Sequence, residues 1–314
     1  MRFGLNLPNF GSAVSPDSLA GWATRAEDAG FDLLLISDHV AQTRDVRSRF
    51  PGDFYEPLST LAWLAARTNR IRLGTTVLIL PYRHPLLTAR MVANIDQFCG
   101  GRFVLGVAAG WATQEFAALG VPYRGRGAIT DEYLRVLRRL WTEGSVDGVV
   151  NTPRPVRTPP IWVGGHSAPA LRRAVRYGDA WHPTSVSLSW LRREGLPALR
   201  RIAGQEGREA PALAPRIKLR VTDHRIPDHE RLAGEGTLDQ IRSDLEQLAE
   251  LGATDVVLDT TILGVPRPAG RDDDDWAQIA RLCGEVIDVR KGSLRGAPAA
   301  SAATPSGTDT TTGG

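Results

Sequence analysis

The chain has 314 residues, 42% of them hydrophobic, which is enough to bury a large core in one α/β barrel or in two ordinary domains. The formal net charge is only +3 and the arginines are scattered through helical stretches, so we expect no nucleic-acid partner. No apolar run reaches the roughly 18 residues of a membrane helix, and two isolated cysteines suggest no disulfide framework, so we predict a cytoplasmic protein.

Short β-rich runs alternate with helical stretches along the whole chain. Strands are predicted at residues 2–7, 33–37, 71–78, 102–108, 160–163, 180–183, 216–221 and 255–259. Helices are predicted at 18–29, 58–68, 86–98, 129–141, 168–177, 188–203, 238–251 and 276–289, with Gly30, Gly178 and Gly252 as left-handed caps. Such alternation is most simply closed as a (β/α)8 TIM barrel, and a doubly wound open sheet is the competing interpretation.

One domain is expected over residues 1–290, because no linker composition appears before residue 290. Residues 291–314 are predicted to be a disordered, low-complexity tail, since they end in a small and polar run without an apolar period. The longest irregular stretches, 38–56, 109–128 and 142–159, are predicted to lie around one end of the barrel.

The run LLLISDHV, residues 33–40, ends a buried strand in an ionisable pair, Asp38 and His39. Residues that end barrel strands form the mouth where ligands bind, so we expect the pair there. His39 is the candidate proton donor or acceptor, because an imidazole exchanges protons near neutral pH. Asp38 could instead orient a loop. Polar or small residues also end the other strands: Asn6, Thr75, Thr76, Ala109, Gly110, Trp111, Gly164, Gly165, His166, Ser167, His182, Asp259 and Thr260.

Two of these strand ends suggest a ligand. In WVGGHSAPALRRA, residues 162–174, two glycines and Ser167 precede a helix and are typical of a phosphate cradle; alternatively, Ser167 merely caps the helix. In GVAAGWATQEF, residues 106–116, small side chains permit close approach by a flat ligand on which Trp111 stacks. The small residues could equally relieve crowding in the barrel, and Trp111 could be a packing residue.

Other chemistries have little support in the sequence. Four histidines fall near strand ends, but they form no HxH or HxxxH pair, so we predict no metal site. His84, in PYRHP, is better explained as a capping or loop-packing residue. No GxSxG and no GxxxxGK[ST] motif occurs, which argues against a serine hydrolase and a P-loop protein.

From Met1 to about Val289 the chain resembles the luciferase-like monooxygenase superfamily, and within it the oxidoreductases that use the deazaflavin coenzyme F420. The resemblance is carried by RFGLNLPNFG, by SDHV, by the run NRIRLGTTVLILPYRHPLLTARMVANIDQFCGGRFVLGVAAGW, by FAALGVPYRGRGAITDEYLRVLRRLW, by PPIWVGGHSAPALRRAVRYGDAWHP and by GTLDQIRSDLEQLAELGATDVVLD. It implies a bacterial luciferase-like barrel that holds a flavin-type ring in its mouth.

The resemblance also implies roles for individual residues. His39 would lie near the reactive edge of the ring as proton donor or acceptor, and Asp38 would contact the ring system. Thr76 and Val77 would form a bulge with a cis non-prolyl peptide behind the ring. The full set of candidate cofactor-binding residues is Asp38, Thr76, Val77, Ala109, Gly110, Trp111, Gln114, Gly164, Gly165, His166 and Ser167.

The implied function is hydride transfer between coenzyme F420 and a small organic substrate. The resemblance also implies a homodimer, because barrels of this superfamily frequently dimerise. A two-component monooxygenase that uses flavin mononucleotide (FMN) and a separate reductase is the alternative, and a non-catalytic cofactor-binding protein is a third. Two features depart from the family. Trp111 stands where sugar-phosphate dehydrogenases and methylene-pterin reductases of the superfamily have a catalytic glutamate, which argues against those activities. The segment 145–158 is shorter than in relatives, which predicts a more open substrate side or a loss of activity.

Overall fold

Eight parallel strands form a barrel in the computed structural model, which describes residues 1–296. They are β1 (Arg2–Leu7), β2 (Leu33–Ile36), β3 (Arg72–Thr75), β4 (Phe103–Ala108), β5 (Ile161–Gly164), β6 (Ala180–His182), β7 (Arg216–Lys218) and β8 (Asp255–Asp259). Neighbours follow chain order from β1 to β6, and β1 also pairs with β8. The short strand Ala212–Leu213 pairs with β6, and β7 directly after it pairs with β8, which closes the barrel. The TIM barrel is therefore confirmed, and the open sheet is wrong.

The helices that follow the strands pack around this barrel. They are α1 (Pro16–Ala29), α2 (Pro57–Ala65), α3 (Pro85–Phe98), α4 (Arg126–Thr142), α5 (Ala168–Tyr177), α6 (Leu196–Gln205), α7 (Leu238–Glu250) and α8 (Arg271–Glu285). Helix α6 continues a short helix, Leu188–Trp190, through one π-helical segment, so the predicted helix at 188–203 is a single irregular rod.

Local signals in the sequence explain where several helices begin and end. Ser15 caps α1 by accepting the N–H of Ser18, and Gly30 ends the helix with a φ of 97°. Gly178 was predicted to be a left-handed cap in the same way, but its φ is −89°. A Cβ at Gly178 would lie 2.7 Å from the carbonyl oxygen of Ala174, so close packing, rather than a left-handed turn, accounts for this glycine.

Strand β3 is interrupted at the barrel mouth. It was predicted to run to Leu78, but it ends at Thr75, and pairing with β4 resumes only at Leu78–Ile79. The bulge between these parts contains a cis peptide bond between Thr76 and Val77, as the resemblance implied. Glycines allow the close approach behind it, because a Cβ at Gly106 would lie 2.0 Å from the carbonyl oxygen of Thr75.

The irregular stretch 142–159 lies at the end of the barrel opposite to the mouth, contrary to the expectation that all three long stretches share one end. It connects the end of α4 to the start of β5, so it belongs with the loops that precede strands. The N–H of Val156 donates to Asp96 at 2.8 Å, and the amide of Gln97 donates to the carbonyl of Arg154 at 2.7 Å. Asp96 and Gln97 lie at the end of α3, just before β4. The shortened segment 145–158 therefore does not open the substrate side.

The C-terminal part of the described chain continues beyond the predicted domain boundary at residue 290. Strand Ser293–Leu294 pairs antiparallel with Ile287–Asp288, and α8 ends at Glu285 because the following residues join this hairpin. The remaining residues of the predicted tail, 297–314, lie outside the described residues. Within residues 1–296 no helix combines the length and the apolar character needed to cross a membrane.

The Gly106 position offers a test of the packing behind the bulge. In Gly106→Ala the new methyl group meets a backbone oxygen that cannot rotate away, so we expect the free energy of unfolding to fall by about 2–3 kcal/mol in denaturant titrations. Gly21→Ala is the matched control, because a Cβ there meets nothing within 4 Å. That helical substitution should raise stability by about 0.5–1 kcal/mol. Equal stabilities of the two variants would contradict the packing argument.

Candidate active site at the barrel mouth

A cavity of about 370 Å³ opens where the barrel strands end. It is lined by most of the residues predicted for the site, namely Asp38, His39, Thr76, Val77, Ala109, Gly110, Trp111, Gly164, Gly165 and Ser167. This location agrees with the expectation that ligands bind at the carboxyl ends of the strands.

The His39 side chain is held by a buried carboxylate that sequence reasoning missed. Nδ1 of His39 lies 2.6 Å from Oε2 of Glu115, whose side chain has no exposure to water. The same carboxylate accepts the N–H groups of Val40 at 2.6 Å and Ala41 at 3.0 Å, and the hydroxyl of Tyr82 at 2.9 Å. Four donors therefore converge on one charge.

These contacts decide the protonation of the pair. Burial would raise the pKa of the Glu115 carboxyl, but the hydrogen bond and charge of His39, together with the N–H groups of Ala41 and Val40, hold that pKa below its usual range. An ionised carboxylate only accepts hydrogen bonds, so Nδ1 of His39 carries a hydrogen. Nε2 is then the ring nitrogen that can exchange a proton with a ligand in the cavity.

Asp38, although adjacent to His39, is fully engaged with the protein. Its carboxylate accepts both terminal nitrogens of Arg83, at 2.7 and 2.8 Å, and the N–H of Ile79 at 2.8 Å. Arg83 also donates to Glu56 at 2.8 Å. This geometry supports the loop-orienting role for Asp38 over direct contact with a ring, because the pair ties the loop after β2 to the segment after β3.

The bulge after β3 is supported from inside the barrel by His182. Nδ1 of His182 donates to the carbonyl of Ala214, so Nε2 accepts the hydroxyl of Thr76 at 2.8 Å. Complete burial lowers the pKa of His182 to about 4. His182 was predicted only as a strand end, and the structure makes it a neutral support for the bulge.

Arg216 fixes the other side of the same bulge. It donates to the carbonyl oxygen of Thr76 at 2.7 Å and pairs with Asp259 at 2.8 Å. Lys218 also lies 3.1 Å from Asp259. Burial would raise the pKa of Asp259, but the charges of Arg216 and Lys218 hold it well below its usual range. The backbone at the bulge is therefore held by Arg216, which shares the carboxylate of Asp259 with Lys218.

The turn between β5 and α5 has the form of an anion cradle. Gly165 has a φ of 106°, and a Cβ there would lie 2.9 Å from the Cβ of Ala170, so only glycine fits without strain. Ser167 stands at the N-cap position of α5, but its side chain makes no cap hydrogen bond. The alternative in which Ser167 merely caps the helix is therefore not supported. Its hydroxyl and the helix N-terminus both face an exposed part of the site.

Two arginines lie on the same side of the cavity as the cradle. Arg173 on α5 is buried, and its Nε donates to Asp131 at 2.6 Å. Arg126 donates to the carbonyl of Gly110 at 3.1 Å, and its guanidinium lies 4.0 Å from the centroid of the Tyr123 ring. These cations, together with the helix N-terminus, give this side of the cavity a positive potential.

Trp111 lines the cavity beside the catalytic candidate. Its ring centroid lies 5.6 Å from that of His39, and the guanidinium of Arg49 stacks over it at 4.1 Å. Gly110, directly before it, has a φ of 83°, and a Cβ there would lie 2.6 Å from Ile79. The small residues therefore relieve crowding in the barrel and also leave backbone exposed to a ligand, so the two interpretations given above are compatible.

Two of the predicted cofactor-binding residues do not line the cavity. Gln114 is exposed and exchanges hydrogen bonds with Asp45, through its N–H at 3.0 Å and its side-chain oxygen at 3.3 Å. His166 points to the outer side of the turn, where it accepts the N–H of Thr184 and lies 5.0 Å from the ring of Trp190. Both side chains join loops to one another, so the geometry does not support a cofactor contact from either residue.

Several residues of the site were not predicted, above all Glu115, Arg126, Arg173 and Arg216. Glu115 had one weak signal, because it is a carboxylate set among apolar residues in TQEFAA. The arginines had none, because Arg126 and Arg173 lie in helices that contain other arginines, and Arg216 begins a strand that also contains Lys218. Within residues 1–296 no group of three or more histidine, cysteine or acidic side chains is arranged to hold a metal ion.

Comparison with known proteins gives a consistent result. Residues 1–225 match the family described as luciferase-like monooxygenase. An F420-dependent glucose-6-phosphate dehydrogenase of Kineococcus radiotolerans is 34% identical over 213 residues, which cover 61% of this chain and 61% of that protein. The chain thus spans less than two thirds of that relative.

Two solved structures share the fold. An F420-dependent secondary alcohol dehydrogenase, in complex with an F420–acetone adduct, has a TM-score of 0.69 at 18% identity and covers 82% of this chain and 92% of its own. The oxygenating constituent of 3,6-diketocamphane monooxygenase from Pseudomonas putida, in complex with FMN, has a TM-score of 0.68 at 18% identity and covers 90% and 96%. At this identity the likeness concerns the fold alone.

The buried His182 should make stability depend on pH. Its pKa is about 4 in the folded protein and 6.5 in the unfolded chain, so only the unfolded state binds a proton between these values. The free energy of unfolding should therefore fall by about 3 kcal/mol as the pH drops from 6.5 to 4. His182→Asn removes this contribution, so its stability, although lower at pH 7.5, should change less over the same interval in denaturant titrations.

The control is His229→Asn, since the His229 side chain is 81% exposed. This variant should retain the full pH dependence of the original protein. If the free energy of unfolding depends on pH in the same way in His182→Asn and in the original protein, His182 is not the source of that dependence.

Proposed function

The chain belongs to the luciferase-like monooxygenase family, and we propose that it is an oxidoreductase that transfers hydride between coenzyme F420 and a small organic substrate. One observation carries this proposal: the imidazole of His39 and the anion cradle at Gly165 and Ser167 line the same cavity. A group that moves protons and a group that holds phosphate are what a phosphate-bearing redox cofactor requires of its protein.

The residues of the cavity fit such a cofactor. The turn of the cradle requires glycine at position 165, because a Cβ there would lie 2.9 Å from the Cβ of Ala170, and Arg126 and Arg173 add positive charge beside it. Ala109 and Gly110 would let a flat ring approach the backbone, and the bulge at Thr76, on the neighbouring strand, would support it. When bound, the deazaflavin supplies a ring carbon that donates or accepts hydride.

His39 performs the proton transfer that accompanies hydride transfer. Its Nε2, when protonated, donates to the oxygen of a carbonyl substrate; when neutral, it accepts the proton of an alcohol. Glu115 keeps the hydrogen on Nδ1 and stabilises the positive imidazolium. Tyr82 and the N–H groups after His39 hold that carboxylate in place, so the imidazole does not need to reorganise during the reaction.

Among relatives, the F420-dependent glucose-6-phosphate dehydrogenases support the choice of coenzyme but not the choice of substrate. Trp111 stands where such dehydrogenases have a catalytic glutamate. The third hypothesis, a non-catalytic binding protein, loses its argument, because segment 145–158 lies at the opposite end of the barrel.

We further infer that the protein acts in the cytoplasm, as a homodimer, with a reductase partner that supplies reduced cofactor. Cys99 and Cys283 are both free thiols, which suits a reducing compartment. The homodimer and the reductase rest on the family alone.

Cofactor binding is the first test. Titration of the protein with coenzyme F420 and separately with FMN, followed by tryptophan quenching and calorimetry, should give micromolar and selective binding of F420. Ser167→Asp should weaken F420 binding at least tenfold, because the new carboxylate repels phosphate at the cradle. Ser167→Asn, which adds the same bulk without charge, should bind within a few fold of the original protein.

Selective binding of FMN would replace hydride transfer with the oxygen-dependent monooxygenase function. Binding of neither cofactor would reject both. Equal affinity of the Ser167→Asp and Ser167→Asn variants would remove the cradle from the cofactor site while leaving the choice of cofactor to the titration itself.

The role of His39 is tested separately from binding. His39→Ala should lower the turnover number about 10²- to 10⁴-fold, because general acid–base catalysis contributes that much, while the dissociation constant of F420 changes only a few fold. His224→Ala is the control, since His224 is exposed and outside the cavity. A turnover number in His39→Ala equal to that of the control would exclude His39 from the mechanism.

A further inference from the structure

We propose that Arg216 and Lys218 leave one unbalanced positive charge at the cavity, and that this charge stabilises the reduced form of the bound ring. Relative to the oxidised coenzyme, the protein then binds reduced coenzyme F420 more tightly than it would without that charge. This proposal rests on the proposed F420-dependent hydride transfer, and it adds the residues that control the balance between the two redox states of the coenzyme.

Two cations of β7 share a single carboxylate. Nη2 of Arg216 lies 2.8 Å from Oδ2 of Asp259, and Nζ of Lys218 lies 3.1 Å from the same oxygen. The other carboxylate oxygen accepts uncharged donors, namely the amide of Asn6 at 2.9 Å and the N–H of Thr261 at 3.0 Å. We name Arg216, Lys218 and Asp259 the two-cation cluster. Its two positive charges and one negative charge leave one positive charge unbalanced.

The charges of the two-cation cluster are largely withdrawn from water. The side chains of Arg216, Lys218 and Asp259 are 11%, 16% and 1% exposed. Burial opposes the ionisation of Asp259, but the charges of Arg216 and Lys218 hold its pKa well below its usual range, so it is ionised at neutral pH. His182, on the other side of the bulge, is neutral because burial lowers its pKa to about 4. The unbalanced charge is therefore weakly screened and acts on a ligand in the cavity.

The two-cation cluster reaches the cavity through Arg216. This side chain lines the cavity, and its Nη1 donates to the carbonyl oxygen of Thr76 at 2.7 Å in the bulge after β3. Lys218 does not line the cavity, and its Nζ also donates to the carbonyl oxygen of Thr261 at 2.8 Å. A substitution of Lys218 therefore changes the charge of the cluster without removing the contact between Arg216 and the bulge.

The positive charge on the cradle side of the cavity has a different counterpart. Arg173 is paired with Asp131, whereas the guanidinium of Arg126 donates to the carbonyl oxygens of Gly110 at 3.1 Å and Tyr123 at 3.3 Å. Arg126 thus keeps its charge beside the cradle, where the phosphate of the cofactor would bind it. Oxidised and reduced coenzyme carry the same phosphate, so Arg126 does not distinguish the two redox states.

Acidic groups stand on the side of His39. Asp38 and Glu56 share Arg83, and Glu115 accepts a hydrogen bond from His39. These groups would disfavour additional negative charge near them. They are unchanged in each of the substitutions described below, so a change in relative affinity for the two redox states reports the two-cation cluster.

The electron balance of hydride transfer explains why a positive charge favours the reduced state. Transfer of hydride to the coenzyme breaks a C–H bond of the donor and forms a C–H bond at the ring carbon. The donor is oxidised, its accompanying proton passes to Nε2 of His39, and the ring gains one negative charge. A nearby positive charge lowers the free energy of this reduced ring more than that of the oxidised ring.

The test measures the affinity of the protein for both redox states. Calorimetric titrations with oxidised coenzyme F420 and, without oxygen, with chemically reduced coenzyme F420 give two dissociation constants. The oxidised-to-reduced ratio of these constants reports how strongly the protein favours the reduced state. Lys218→Gln removes the unbalanced charge, so this ratio should fall about tenfold. Lys218→Arg retains the charge and should keep the ratio of the original protein.

Asp259→Asn should shift the ratio in the opposite direction. It removes the negative charge and leaves both cations, so the ratio should rise. Loss of packing alone does not make these two substitutions change the ratio with opposite signs. If Asp259→Asn does not fold, the comparison of Lys218→Gln with Lys218→Arg decides. Lys291→Gln is the control, since the Lys291 side chain is 79% exposed and lies outside the cavity, and it should leave the ratio unchanged.

An unchanged ratio in Lys218→Gln, or an equal fall in Lys218→Gln and Lys218→Arg, would overturn the proposal. If coenzyme F420 binds and its ratio does not respond to charge, only this inference is rejected and the proposed function stands. If coenzyme F420 binds in neither state, the proposed function is rejected. The same titrations with oxidised and reduced FMN then decide the role of the two-cation cluster, because FMN also gains negative charge when it accepts hydride. Binding of neither cofactor rejects both proposals.

Discussion

The site depends on one buried charge, the carboxylate of Glu115. A charge without exposure to water is stable only where hydrogen-bond donors surround it, and four donors meet here. Two are backbone groups of the turn after β2, one is the His39 ring, and one is Tyr82 from the segment after β3. Since Glu115 itself follows β4, this charge joins three successive strand ends. These hydrogen bonds to Glu115 fix the orientation of the His39 imidazole.

Two further ionic anchors divide the mouth into parts with different tasks. The pair of Asp38 and Arg83 locks the turn beside His39 from the opposite direction, so two adjacent residues of one turn are held by different strands. The pair of Arg216 and Asp259 fixes the bulge on the side away from His182. Fixed charges thus form the frame, whereas the surface beside the reactive imidazole is aromatic. These ion pairs keep the turns in place, and Arg126 and Arg173 bring positive charge to the cradle side of the cavity.

The fold and the position of His39 could be predicted because they follow from local patterns. Alternating strands and helices define a barrel, and a residue that ends a strand must lie at its mouth. Glu115 could not be predicted, because it lies 76 residues from His39 along the chain. Neighbouring residues on a helix differ in direction by about 100°, so Gln114 turns outward to Asp45 while Glu115 turns inward. In a helix as short as Thr113–Ala118, too few residues are present for an apolar period to show which one faces the barrel.

The segment 142–159 shows a separate limit and has a use of its own. The length of the segment could be predicted from the sequence. The end of the barrel at which it lies depends on whether it precedes or follows a strand, and the prediction did not make that distinction. Because the segment is anchored to Asp96 and Gln97 far from the mouth, we expect changes in its length to leave the site unchanged. We therefore expect the protein to tolerate inserted or deleted residues in this segment. The exposed hairpin at Val149–Val150 is, for the same reason, the natural place to insert a reporter domain or an immobilisation tag into a working enzyme.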